Sequence, residues 1–96
     1  MILKQGVKIT NLTVQMLLGI HIAEYVYEKH GYELFITSID DSVHGKITKH
    51  GKGEAADYRT SFLKPDEAEI IVAEIKQRCD EQFDVIFEKD HIHHEF

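Results

Sequence analysis

His50-Gly51-Lys52-Gly53-Glu54-Ala55-Ala56-Asp57-Tyr58-Arg59-Thr60 reads as a glycine-bearing turn that runs into a short strand. Gly51 and Gly53 let the backbone turn closely, and Ala55 and Ala56 keep bulk away from the turn. From residue 55 onward, alternation puts Asp57 and Arg59 on one face and Ala56 and Tyr58 on the other. His50 and Asp57, seven positions apart, can therefore converge on a single point.

Upstream, residues 39–53 are rich in Asp, Ser, His, Lys and Gly and follow neither helical nor strand period, which marks a long functional loop. Before it, 33–38 is rich in β-branched and aromatic residues and reads as a strand. The first helix starts at polar caps near 11–13 and stops at Lys29-His30-Gly31, with Val14, Leu18, Ile22 and Val26 as the expected inner face. Gly19 weakens it by roughly 1 kcal/mol against alanine, so packing must hold it.

Downstream, Pro65 stands where a first helical position belongs, followed by Asp66, Glu67 and Glu69, which suit a helix N-terminus. Ala68, Ile71, Val72, Ile75 and Cys79 then form one inward stripe. Phe83, Val85 and Phe87 alternate with polar residues as a third strand, and 92–96 follows a tight turn as a fourth. The expected fold is one α+β domain over residues 1–96: a small antiparallel sheet of about four strands packed against two helices.

The 96 residues are 43% hydrophobic and 29% charged, an ordinary globular composition that supplies one core. A domain this small gains from a metal that ties distant segments together. The net charge of −6 and the scattered basic residues exclude a protein that binds nucleic-acid backbones. No segment has the length of a membrane span, and residues 1–10 carry no signal-peptide pattern, so synthesis in the cytoplasm without a leader is expected. A single cysteine, Cys79, cannot build a thiolate metal site and belongs to the core, which leaves His and carboxylate as ligands.

Such ligands crowd the other end of the chain, where three of the seven histidines, His91, His93 and His94, lie within four residues beside Asp90 and Glu95. In a straight strand Asp90 and His93 face opposite sides while His91 and His93 share one, which favours His91 as a ligand; Asp90 is expected in the turn before the strand, where backbone direction is still changing. His94 faces away.

Thr48-Lys49-His50-Gly51-Lys52-Gly53-Glu54-Ala55-Ala56-Asp57 and Asp90-His91-Ile92-His93 together resemble the two motifs of the D-Ala-D-Ala carboxypeptidase and L-Ala-D-Glu endopeptidase family of zinc metallopeptidases. That family shares its fold with the hedgehog signalling domain. Its first motif reads Ser-x-His-x-x-Gly-x-Ala-x-Asp, matched here except for Thr48 in place of Ser; its second is an acid, two residues, then His. Phage and prophage members look especially similar, and the resemblance spans about 35–96.

The resemblance implies that His50, Asp57 and His93 bind Zn2+ and that Asp90 is the general base. Two imidazoles and one carboxylate leave a fourth position for water, whose proton Asp90 accepts and passes to the leaving amine. His91 becomes a candidate for touching substrate, as does Arg59. Many members carry an arginine in a Ser-Gly-Tyr-Arg-like loop, where this chain has Ser38-Ile39-Asp40-Asp41. His44 is then the best candidate to help stabilise the oxyanion. The implied substrate is the peptide of bacterial peptidoglycan, and a lysis protein without a leader needs a holin-like route or carriage in a virion. The alternative is a metal-binding structural or interaction domain of the same fold without hydrolase activity.

Overall fold

A computed structural model of the chain describes residues 1–9, 12–39 and 53–96. Its elements run β1 (Ile2–Leu3), α1 (Val14–Lys29), β2 (Phe35–Ser38), β3 (Ala55–Arg59), α2 (Glu67–Arg78), β4 (Asp84–Glu88) and β5 (His91–Glu95). The class is α+β, as the sequence indicates, but the sheet has five strands in the order β1-β2-β3-β5-β4 and is mixed. The strand not foreseen is β1, parallel to β2 and held by Ile2 N–H on the Leu34 carbonyl (2.8 Å) and Lys4 N–H on that of Ile36 (2.9 Å). Two residues carry no readable alternation, which is why β1 is silent in the sequence.

Thr13 caps α1: its Oγ1 accepts from Met16 N–H at 3.1 Å and donates to the Gly53 carbonyl at 3.3 Å. The helix start is thereby tied to the residue entering β3, and Gly53 adopts φ 71°, a conformation that favours glycine. At the other end Gly31 (φ 88°) ends the helix, with Tyr32 N–H reaching back to the Tyr27 carbonyl at 3.0 Å.

The buried face of α1 is Met16, Gly19, Ile20, Ala23, Val26 and Tyr27, so of the expected inner residues only Val26 is fully buried. Val14 and Leu18 are exposed, and Ile22 is half-buried. Steps of four residues advance 40° each around a helix, so the run from Val14 to Val26 drifts by roughly 120° and cannot face one surface. Alternating steps of three and four do stay in line, and they select the face that carries the small residues Gly19 and Ala23.

Pro65 also corrects an expectation. The α2 helix begins at Glu67 after Asp66, and Pro65 lies inside a turn closed by Glu67 N–H on the Lys64 carbonyl (3.0 Å). Its fixed φ suits the second position of such a turn as well as a helix start. The expected stripe holds, with Ala68, Ile71, Ile75 and Cys79 buried, except that Val72 is only half-buried. Both helices pack on the sheet face that presents Ile36, Ala56, Tyr58, Val85 and Ile92, giving one continuous core.

His94 belongs to that core. It is fully buried, its Nδ1 hydrogen-bonded to the Tyr58 hydroxyl at 2.7 Å and its Nε2 3.6 Å from Cys79 Sγ. Burial holds its pKa down at about 4, and the neighbouring His93 charge adds to this. Gly19 makes room for it: a Cβ there would stand 2.7 Å from Phe83 Cε1 and 3.1 Å from His94 Cε1. Gly19→Ala is therefore expected to lower the urea midpoint. The gain of about 1 kcal/mol in helix propensity is outweighed by ~1–3 kcal/mol of overpacking. A raised midpoint would show that Phe83 gives way freely.

Candidate metal centre

The opposite face of the sheet carries the chemistry. The register of β3 against β5 sets Asp57 opposite His93 and Arg59 opposite His91. Two segments 36 residues apart thus bring Asp57 Oδ1 to 2.9 Å from His93 Nδ1. Both side chains are largely covered, 19% and 16% exposed, so the contact is more than a surface ion pair.

The backbone around Asp57 is adjusted by β2. Ile36 pairs with Tyr58 and Ser38 with Asp57, so β2 carries one extra residue, Thr37, whose hydroxyl donates to the Asp57 carbonyl at 3.4 Å. A bulge of this kind re-aims side chains locally. On the far side of His93, Glu95 Oε1 lies 2.8 Å from Nε2. Hydrogen bonding to Asp57 first, and to Glu95 after it, raises the His93 pKa to about 9 against the opposing effect of burial.

Asp90 occupies the turn before β5, where it was expected, and is 84% exposed. Its Oδ1 is 2.7 Å from His91 Nδ1, and His91 Nε2 is 3.8 Å from Asp57 Oδ1. The hydrogen bond from His91 holds the Asp90 carboxyl below its ordinary range, so it is an ionised acceptor at neutral pH. Carboxylates and imidazoles therefore alternate along one line: Asp90, His91, Asp57, His93, Glu95.

Beside this line lies a cleft of about 340 Å3 lined by Thr37, Asp57, Arg59, Ser61, Asp90 and His91. Arg59 is held in place with its guanidinium carbon 3.9 Å from the centre of the Phe35 ring, and its carbonyl accepts from the Tyr27 hydroxyl at 3.0 Å. The cleft gathers four sequence-indicated residues, Asp57, Arg59, Asp90 and His91, and His93 borders it through Asp57.

No family model, curated protein or solved structure matches the chain. His50, the third expected ligand, and His44, the expected oxyanion donor, lie outside the described residues, as does Asp41 in the loop that lacks an arginine. Among the described residues no three His, Cys, Asp or Glu side chains form a group able to hold a metal ion. Two of the three expected donors, Asp57 and His93, are described, and they are adjacent.

Sequence reasoning gave Glu95 no role, and it turned His94 away from the site, as found, without a partner for it. The signal for Glu95 was present in the alternation His91, His93, Glu95, which puts all three on one strand face. For His94 the same alternation indicated the core face, but an imidazole there needs a partner, and Tyr58 could be matched to it only through the register of β3 and β5. No helix among the described residues is long and apolar enough to cross a membrane.

Proposed function

We propose that the chain is a zinc-dependent peptidase of hedgehog/DD-peptidase type that hydrolyses peptide bonds of bacterial peptidoglycan. The observation that carries this reading is the cross-strand pair of Asp57 and His93, 2.9 Å apart beside a cleft that also holds Asp90. Two donors of a tetrahedral zinc at ~2.0–2.2 Å stand roughly 3.4 Å apart, so the pair needs to open by only about half an ångström. His50 is assigned as third ligand from its place seven residues before Asp57 and from the motif that it completes.

Zinc, when bound there, acidifies water and polarises a carbonyl oxygen. The chain supplies the rest. Asp90, ionised and open to the cleft, accepts the proton of the attacking water and returns it to the leaving amine. His91 bridges Asp90 to Asp57, which keeps the base aligned with the ligand pair. Arg59 lines the wall along which the substrate peptide lies, with His44 assigned to the oxyanion in place of the loop arginine. A route to the wall through a holin-like pore or within a virion fits an endolysin-like protein.

A second reading, a metal-binding structural or interaction domain of the same fold without hydrolase activity, is favoured by the lack of an arginine at 38–41. Zinc titration against a competing chelator tests what both readings share. One equivalent is expected to bind, and Asp57→Ala or His93→Ala is expected to weaken binding by more than ~100-fold, since even groups outside the ligand sphere contribute ~10–100-fold. Affinity unchanged in both variants would place the metal elsewhere.

A further inference from the structure

We propose that Glu95 is a positioning residue for the metal centre: it holds the Nε2 edge of His93, so that Nδ1 is the nitrogen presented beside Asp57. The assignment rests on the zinc reading above and identifies what aims one of its ligands.

The His93 ring is engaged at both edges, by Asp57 Oδ1 on Nδ1 at 2.9 Å and by Glu95 Oε1 on Nε2 at 2.8 Å. An imidazole nitrogen binds a metal only without its proton, so the nitrogen that donates to a carboxylate is withdrawn from ligation. Without metal both ring nitrogens face carboxylates; when zinc takes the place of the Nδ1 proton, Nε2–H stays with Glu95 and the Nδ1 lone pair is directed to where Asp57 stands. The clamp is built into the strand, because alternation along β5 puts His93 and Glu95 on one face. Its end is fixed by Phe96 N–H on the Glu54 carbonyl at 2.8 Å and by pairing of Glu95 with both Ala55 and Asp84. Carboxylates that hold the second nitrogen of a ligating histidine fix its tautomer and raise its strength as a donor.

The opposite arrangement, with Nε2 on the metal and Glu95 as a ligand in place of Asp57, is the competing geometry. Zinc affinity by chelator competition and long-range 15N–1H spectra of the His93 ring, both on the full chain, separate the two. Glu95→Ala is expected to weaken zinc by about 10–100-fold. Glu95→Gln, whose side-chain oxygen still accepts Nε2–H, recovers most of that loss. Glu95→Asp, too short to reach the ring, behaves like the alanine variant and guards against a folding defect. In the zinc-loaded wild type, Nδ1 is the metal-bound nitrogen.

Equal affinity in Glu95→Ala, or Nε2 as the bound nitrogen, overturns the assignment. A wild-type chain that takes up no zinc overturns the peptidase reading instead, and the metal-free spectra then decide the role of Glu95. A protected Nε2–H present in wild type and lost in Glu95→Ala supports the clamp, and its absence in wild type overturns it.

Discussion

Asp90→Asn is expected to retain its zinc and to release amino groups from peptidoglycan ~10²–10⁴-fold more slowly than the unaltered chain, the usual contribution of a positioned general base. Asp90 is 84% exposed in a turn, so the change removes little from stability. What it removes is the acceptor. An asparagine oxygen in the same place still takes the hydrogen bond from His91, now 2.7 Å from the carboxylate, but cannot hold a proton between the attack and the departure of the amine. Because His91 holds the Asp90 carboxyl below its ordinary range, activity should persist to lower pH than an unpaired aspartate would allow. Loss of zinc together with rate would make Asp90 a structural partner of His91, and an undiminished rate would assign the base to another group.

The second large effect is on acid stability of the metal-free chain. His94 is buried between Tyr58 of β3 and Cys79 at the end of α2, with Gly19 and Phe83 also against it, and its hydrogen-bond partners among the described residues are not acidic. Folding holds its pKa at about 4, against an ordinary value of 6.5. The sign follows directly. Above pH 6.5 the imidazole is neutral in both states and nothing is lost. As pH falls from 6.5 towards 4, the unfolded chain takes up a proton that the folded one refuses, so stability drops by about 3 kcal/mol.

His93 acts in the opposite direction. Its pKa, raised to about 9 by Asp57, contributes stability below pH 6.5 that is lost as pH rises towards 9. Metal-free stability should therefore peak near neutrality. Urea midpoints between pH 4 and 8 check this, and His94→Leu should flatten the acid slope whatever its effect on the level at pH 7. An unchanged slope would mean that His94 is protonated inside the fold.

How much of this was legible in the sequence depends on the range of the interaction concerned. Strand alternation at 55–59 and 91–95 correctly sorts Asp57, Arg59, His91 and His93 onto one face, because a period of two is fixed by the backbone alone. The caps at Thr13 and Gly31 are legible for the same local reason. The inner face of α1 was not, because that helix is apolar on more than one side and only contact with β3, β5 and Phe83 selects Gly19 and Ala23 over Val14 and Leu18. The parallel pairing of β1, the bulge at Thr37 and the buried Tyr58–His94 pair are likewise products of register between distant segments. Such pairings leave no periodic trace in the sequence. Asp57 and His93 were found together because a motif, rather than a period, linked them.

The most direct test is hydrolysis itself. Purified chain carrying one equivalent of zinc is incubated with peptidoglycan, and newly exposed amino groups are counted beside a chelator-stripped sample and the same sample after zinc is restored. Release with zinc, its loss on stripping and its return on reloading are the expected result. Stoichiometric zinc that leaves peptidoglycan untouched, even at high protein concentration, would contradict the peptidase and leave a metal-binding domain in its place.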